Sequence, residues 1–188
     1  MAKTGMGTHS DEMLVARVLG GDTEAFRTLV EHYETTVAGV VFGMVGPGAD
    51  ADDIGQEVMM KLYAALGGFR GEASLKTFVT RIAINHCLDH LKKRKRFFRR
   101  FRALDYEMDH ALVGPVDSGK QAEERQAIAR ALMNLPVPFR SVIVLRLIEG
   151  HSTSETAAIL GMPEGTILSR LARAKKQMAA QLEDYKHG

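Results

Sequence analysis

The sequence predicts an all-α protein of two small helical domains joined by a flexible acidic linker, and three observations lead to this fold class. Apolar residues recur at spacings of three and four along nearly the whole chain, which is the helical period. No segment shows a convincing β alternation. Over residues 101–121 the periodicity weakens and Gly, Pro, Ser and acidic residues accumulate, which is typical of an interdomain tether. We therefore expect a disordered N-terminus over residues 1–10, a first domain over 11–100, a linker over 101–121 and a second domain over 122–188.

The composition excludes several classes of protein. The chain has 188 residues, 45% hydrophobic and 26% charged, which excludes a mostly disordered protein. Its single cysteine, Cys87, excludes an internal disulfide framework and a multi-cysteine zinc site. No window approaches the roughly 18–20 consecutive apolar residues of a membrane span, and residues 1–10 carry no secretory signal. We expect a cytoplasmic protein with no direct membrane insertion.

The formal net charge of +2 hides a strong asymmetry along the chain. Residues 1–66 carry a net charge of −6, residues 67–102 carry +9, residues 103–124 carry −5 and residues 125–188 carry +4. Alternating blocks of this size predict separate surfaces for separate partners, and the basic blocks predict a polyanion as one partner.

Four helices are predicted in the first domain. Their N-caps are assigned to Ser10, Asp22, Asp50 and Ser74. The first helix should end at Gly20-Gly21 and the second at Gly46-Pro47-Gly48. The fourth helix leads into residues 92–102, where eight of eleven side chains are basic and the other three are Phe. That segment is either a solvated helix end, favoured by the helix dipole, or a surface that contacts nucleic acid.

The second domain carries the pattern of a helix-turn-helix. Pro136 ends its first helix, an apolar second helix stops at Gly150, and Ser152 with Glu155 forms a capping box before a short third helix. A tight turn at 161–163 leads into a long last helix, and this arrangement is typical of a DNA-binding module. Residues of the last helix away from its apolar stripe are predicted to contact DNA: Glu164, Thr166, Ser169, Arg170, Arg173 and Lys176. The alternative is a helical hairpin with a basic, solvated face.

An acidic cluster opens the third helix of the first domain. It consists of Asp50, Asp52, Asp53 and Glu57. An acidic helix N-terminus is favoured by the dipole in any case, and the more specific interpretation is docking onto a basic protein surface. The spacing lacks the twelve-residue calcium-loop pattern.

The sequence favours no enzyme, metal or cofactor. Cys87 with His86 and His90 is a weak metal candidate, because three ligands on one basic helix have no further cluster to complete them. No Gly-rich phosphate loop, nucleophile elbow or paired catalytic carboxylate occurs in the sequence.

Four stretches of the chain carry a family resemblance. Residues 51–58 resemble an acidic, Gln-Glu-containing helix that docks on the RNA polymerase clamp, and residues 69–78 resemble a promoter-melting loop with its helix start. Residues 81–85 and 88–91 resemble an element that reads the −10 region. Residues 135–140 and 165–174 resemble a helix-turn-helix that reads the −35 region. Together they resemble a bacterial RNA polymerase sigma factor of the sigma-70 family, in the extracytoplasmic-function (ECF) group that keeps only regions 2 and 4.

The resemblance implies a transcription initiation factor. Such a protein binds core RNA polymerase at the β′ clamp and the β flap. It reads the −35 element as duplex DNA and the −10 element as single-stranded DNA, and it promotes melting of the promoter. It is usually controlled by an anti-sigma factor, often at the membrane. The residues implied to bind polymerase are Asp52, Asp53, Gln56 and Glu57. Those implied to bind or melt −10 DNA are Phe69, Arg70, Ser74, Lys76, Thr77, Phe78, Arg81, Asn85, Asp89, Lys92, Lys93 and Arg94.

The chain departs from the family pattern at a few positions. Phe78 and Tyr63 stand where the family often has Trp, Leu168 where Lys is common, and Thr156 where Ile is common. The main alternative is a stand-alone helix-turn-helix regulator, which leaves the first-domain matches unexplained. A metal-dependent nuclease using the acidic helix is a third interpretation.

Overall fold

The computed structural model describes the backbone of residues 5–100 and 120–187 and most side chains over 11–97 and 122–183. The described residues form helices and turns and contain no strand, so the all-α prediction is confirmed. The helices are α1 Gly5–Leu19, α2 Thr23–Val45, α3 Ala49–Ala65, α4 Leu75–Arg100, α5 Lys120–Asn134, α6 Val137–Ile143, α7 Thr153–Leu160 and α8 Glu164–His187. A 3₁₀ turn, Leu66–Gly68, follows α3, and a π-helical segment, Val144–Ile148, continues α6.

Two of the four predicted N-caps in the first domain are confirmed. The Asp22 carboxylate accepts hydrogen bonds of 3.0 Å from the backbone N–H groups of Glu24 and Ala25. The Ser74 hydroxyl accepts one of 3.1 Å from the backbone N–H of Thr77. Each bond satisfies one of the donors that a helix start leaves without an intrahelical partner.

The other two predicted N-caps are wrong. Helix α1 begins at Gly5, so Ser10 lies inside it, and residues 5–10, predicted to be disordered, are helical; residues 1–4 lie outside the described part. No proline or paired glycine between residues 5 and 10 stops the helix from extending backwards. Helix α3 has Gly48 as its N-cap, at φ +144°, which puts Asp50 in the first turn. An acid there is favoured by the helix dipole without capping the helix.

Helix α2 is the centre of the first domain and packs against α1, α3 and α4. One face of α3 and the turn after it form a buried stripe at the helical spacing of four, since Ile54, Val58, Leu62 and Leu66 are each at most 3% exposed. Burial of such a side chain is worth about 1.5–3 kcal/mol. The stripe therefore fixes which face of α3 remains available to a partner.

The core of the second domain is built around the buried face of α8, the last helix of the predicted helix-turn-helix. Helix α8 packs against α5, α6 and α7. Ile167 and Ala174 are fully buried, as the sequence pattern predicts. The Ser152–Glu155 capping box is present at the start of α7, and Gly161 ends that helix in the left-handed conformation at φ +63°. Helix α5 begins at Lys120, two residues before the predicted domain start, and residues 101–119 of the linker lie outside the described residues.

The two domains pack against each other. Helix α2 contacts α5, α6 and the π-helical segment, and α4 contacts α7. One apolar cluster runs from the first domain into the second, where Leu135, Val144 and Leu145 belong to it. The sequence prediction left this relative placement open.

Candidate nucleic-acid interface

The acidic residues predicted to bind polymerase lie on one exposed surface of α3. Asp52, Asp53, Gln56 and Glu57 are all exposed. The Glu57 Oε2 atom lies 2.7 Å from Nε2 of His86, a half-buried residue of α4. Glu57 therefore ties α3 to the helix that carries the predicted −10 residues.

An apolar groove lies on the same helix. Its lining includes Val18, Phe26, Met59, Met60 and Tyr63. The rings of Phe26 and Tyr63 meet edge to face with centroids 4.8 Å apart. Met60 is 66% exposed and Tyr63 55% exposed, although both side chains are large and apolar. The sequence prediction missed this groove. The signal that could have revealed it is that Met60 and Tyr63 lie outside the buried stripe of α3.

The two phenylalanines of the predicted melting element pack on each other. Phe69, just after the 3₁₀ turn, and Phe78, in α4, have ring centroids 5.3 Å apart at an interplanar angle of 63°. Both are half-buried against the first-domain core. Their packing positions the loop between them, in which Arg70 and Ser74 are exposed.

Helix α4 presents a polar stripe to solvent. Arg81, Asn85 and Asp89 are exposed at four-residue intervals, which places them on one face. Lys92 continues this region, and its Nζ donates a 3.1 Å hydrogen bond to the Asp89 carboxylate that lowers the pKa of that carboxyl. Lys93 is exposed and Arg94 is half-buried on the same stretch.

Two predicted −10 residues contact the second domain, and one of them is buried there. The Lys76 Nζ donates a 2.6 Å hydrogen bond to the backbone carbonyl of Glu149 and lies 3.8 Å from its carboxylate. Thr77 is only 2% exposed, and its hydroxyl lies 3.4 Å from Oε1 of Glu155. The second domain therefore buries Thr77 and binds the ammonium of Lys76, whose side chain remains 44% exposed.

Helix α8, the last helix of the predicted helix-turn-helix, carries the residues predicted to contact DNA. Glu164, Ser169, Arg173 and Lys176 are exposed, and Thr166 and Arg170 are half-buried. Nη1 of Arg170 lies 2.9 Å from the Met162 sulfur in the turn. Leu168 is 54% exposed on this helix, so the position where the family often has Lys does face solvent. Four of the six residues predicted to contact DNA are therefore exposed on α8, and the other two are half-buried.

Three buried ionisable residues of the second domain were missed by the sequence prediction. Arg140, Glu149 and His151 are 8%, 9% and 3% exposed. Burial lowers the pKa of Arg140 and of His151, and it raises the pKa of Glu149 against the opposing effect of Lys76. The signal in the sequence was faint: these charged residues flank an otherwise apolar run, Val142–Ile148, that is interrupted only by Arg146.

Cys87 is a core residue. It is fully buried, and burial raises the pKa of its thiol to about 12. Across residues 11–97 and 122–183, no group of three or more His, Cys, Asp or Glu side chains is arranged to hold a metal ion. Within the part of the chain that the structure describes, no helix has the length and apolar character to cross a membrane.

Both domains match known sequence families. Residues 29–97 match the family described as Sigma-70 region 2, and residues 125–178 match Sigma-70, region 4. The chain is 35% identical to the RNA polymerase sigma-H factor of Pseudomonas aeruginosa, over 92% of this chain and 94% of that protein. It is 36% identical to the ECF RNA polymerase sigma-E factor of Escherichia coli, over 89% of this chain and 91% of that protein.

Two solved structures resemble the whole arrangement. CnrH, in complex with the cytosolic domain of CnrY, is 26% identical with a TM-score of 0.67, over 93% of this chain and 97% of that chain. The sigma factor RpoE of Bartonella quintana, in complex with the anti-sigma factor NepR, is 25% identical with a TM-score of 0.73, over 84% of this chain and 96% of that chain.

Proposed function

The chain belongs to the sigma-70 family, in its ECF group, and from this premise we propose that it binds core RNA polymerase, directs it to promoters through their −35 and −10 elements and promotes melting of the DNA. The proposal rests most on one observation: an acidic surface on α3, a polar and cationic stripe on α4 and a cationic recognition face on α8 are three separate exposed surfaces. A protein of this kind acts by binding and catalyses no reaction.

We place polymerase binding on α3. Asp52, Asp53, Gln56 and Glu57 form the acidic part of the surface, which complements a basic docking site on the β′ clamp. The adjoining groove adds exposed apolar area at Met60 and Tyr63. Burial of apolar area contributes affinity, whereas complementary charge orients the two partners. The second domain is proposed to meet the flap of the β subunit.

We place −10 recognition on α4 and the loop before it. The loop at Arg70–Ser74 is supported from beneath by the Phe69–Phe78 pair, so it can hold an extruded base without collapsing. Asn85, exposed on the next turns of α4, has an amide that can pair with a base edge. Trapping an unstacked base offsets the few kcal/mol that unstacking costs, so binding can drive melting. Lys92 and Lys93 then hold backbone phosphates.

We place −35 recognition on α8. Arg170 and Arg173 follow the first turn of a helix whose buried face is fixed by Ile167 and Ala174. A bidentate Arg–guanine pair is worth about 1–3 kcal/mol of discrimination. Arg173 is fully available for such a pair, whereas Arg170 must first leave its contact with Met162.

We infer an anti-sigma factor as the regulatory partner. Of the relatives with solved structures, RpoE was determined with the anti-sigma factor NepR. The basic and acidic surfaces described above are available to a partner that competes with DNA or polymerase. Such a partner would keep the protein in the cytoplasm, free or at the membrane.

The test is promoter-directed transcription by core RNA polymerase with and without this protein. We expect run-off transcripts only when both are present, and a gel shift of promoter DNA that requires the polymerase. Asp53→Lys combined with Glu57→Lys should weaken polymerase binding roughly tenfold or more, since two contacts reverse from attraction to repulsion. The matched control is Glu123→Lys with Glu124→Lys, two exposed acids of α5 that change the net charge equally.

Tight, specific binding of duplex DNA by the protein alone, with no effect of polymerase, would instead identify a stand-alone helix-turn-helix regulator. Equal polymerase binding by the α3 variant and the α5 control would show that α3 is not part of the polymerase interface.

A further inference from the structure

One large apolar side chain faces solvent near the start of α8. Leu168 is 54% exposed, whereas Ile167 is fully buried and Leu171 is half-buried on the same helix. Leu168 lies in the second turn of α8, which begins at Glu164. In a helix-turn-helix, the N-terminal residues of the last helix lie against the base edges of the major groove. Leu168 is therefore placed to meet bases and not only the DNA backbone.

The residues one turn before and one turn after Leu168 are small. Gly165, Leu168 and Ala172 follow at spacings of three and four, which places them in one row along the helix, and all three are exposed. A Cβ at Gly165 would meet no atom within 4 Å, so this end of the row is open. Because glycine and alanine let another surface approach the helix backbone closely, Leu168 is the side chain that protrudes from the row.

A polar and cationic row lies beside the apolar one. Ser169, Arg173 and Lys176 are exposed there, again at spacings of four and three. The two cations complement the phosphates of DNA, so the partner that fits both rows is duplex DNA and not an apolar protein surface. The apolar group that a base presents in the major groove is the C5-methyl of thymine.

A leucine at this position also disfavours the other bases. Its side chain has no donor or acceptor, so it leaves the amino group of cytosine or adenine, or the N7 and O6 atoms of guanine, without a partner when it covers them. A polar group that loses water and gains no partner is costly. A lysine, which the family often has at this position, would instead contact phosphate or guanine.

We propose that Leu168 is a specificity-determining residue that contacts the C5-methyl group of a thymine in the −35 element. The proposal rests on the −35 function proposed above for α8 and deepens it, because it names the base that the second turn of the helix reads. Apolar contact favours thymine at that position, and the absence of a hydrogen-bonding group disfavours the other three bases.

The test begins with promoter duplexes whose −35 region is randomised, from which the full-length protein with core RNA polymerase selects the sequences it binds. We expect the wild type to enrich thymine at one position of one strand. Leu168→Ala should lose this enrichment, whereas Leu168→Met, with an apolar side chain of similar volume, should retain it. The matched control is Leu147→Ala, which should retain it too, because Leu147 is also 54% exposed but lies in the π-helical segment outside α8.

A second measurement isolates the methyl group. In the selected duplex the enriched thymine is replaced by deoxyuridine, whose base differs only in lacking the C5-methyl. Binding by the wild type with polymerase should weaken about fourfold, since burial of one such group contributes about as much as one buried CH₂. With Leu168→Ala the same replacement should change the affinity by less than about twofold, because the partner of the methyl is gone. Leu147→Ala should show the full loss.

Equal affinity of the wild type for the thymine and deoxyuridine duplexes would overturn the proposal, and so would a selected −35 element without an enriched thymine. An equal loss in the wild type and in Leu168→Ala would also overturn it, because another residue would then contact the methyl. If the wild type enriches no base in the −35 region, the proposed −35 function fails and this proposal with it. Enrichment without dependence on the methyl would remove only the role of Leu168.

Discussion

Replacing Arg140 by Met should remove much of the stability of the second domain. The guanidinium is buried and donates to three backbone carbonyls, those of Met133, Leu135 and Met44. Methionine keeps the apolar stem and leaves all three oxygens without this donor. Two of them lie at the end of α5, inside the second domain, and the third is in the last turn of α2.

The magnitude follows from these contacts. A hydrogen bond to a charged group contributes about 1.5–3 kcal/mol net, and a buried carbonyl left unpaired costs about 1–3 kcal/mol. Against this, the variant no longer buries a charge, and that burial is unfavourable enough to lower the pKa of Arg140. We expect a net loss of about 3–5 kcal/mol. A domain of about 70 residues has only roughly 3–10 kcal/mol in total.

The assay is urea unfolding followed by circular dichroism at 222 nm. Arg140→Lys should fall between the wild type and Arg140→Met, because a single ammonium cannot reach all three carbonyls in the geometry of a guanidinium fork. Arg173→Met, at an exposed position of α8, is the control and should stay within about 0.5 kcal/mol. A loss below about 1 kcal/mol for Arg140→Met would refute the reasoning, since it would mean that the three carbonyls find water or other donors.

The remaining predictions concern DNA and pH. Asn85→Ala should reduce transcription from −10-dependent promoters several-fold and leave polymerase binding intact. Arg173→Ala should weaken recognition of the −35 element by about 1–3 kcal/mol. Promoter footprints that are unchanged in both variants would contradict the placement of these two residues on DNA. In a Glu149→Gln background, lowering the pH from 7.5 to 5.5 should weaken the packing of the two domains against each other and raise the radius of gyration. His151 lies between the domains, with its Nε2 3.1 Å from the Thr80 hydroxyl. Burial lowers the pKa of His151 there, with Lys76 assisting and Glu155 opposing, so the domain packing weakens as the pH falls below the ordinary histidine value of about 6.5. The pKa of Glu149 is raised, so its protonation strengthens the domain packing as the pH falls. The Glu149→Gln background removes this opposing effect. His151→Gln should abolish the response, and a response that persists would exclude His151 as its origin.

Local rules predicted most of the helices and the exposed faces. The cap at Asp22, the capping box at Ser152 and the left-handed Gly161 each depend on residues within three positions, so the sequence shows them directly. The stripe Ile54–Leu66 and the recognition face of α8 follow from the helical period alone. The errors at Ser10 and Asp50 are of the same local kind, because a good capping residue is also tolerated inside the first turns of a helix.

Family resemblance identified the two regions and implied the partners, but periodicity could not show which predicted residues contact the second domain. Lys76 and Thr77 belong to the same stretch as Arg81 and Asn85, and nothing local distinguishes them. Only the packing of α7 and Glu149 on the start of α4 separates the two pairs.

The sequence by itself determined where the helices lie, which face of each is buried and which surfaces carry charge, because a 3.6-residue repeat and its caps are properties of neighbouring residues. The tertiary structure alone decided that the domains meet and why Arg140 is buried. The hydrogen bonds that join the two domains connect residues 71 to 96 positions apart. Whether two helices pack depends on the shapes of both surfaces, and the residue pattern of one helix contains no information about the surface of the other.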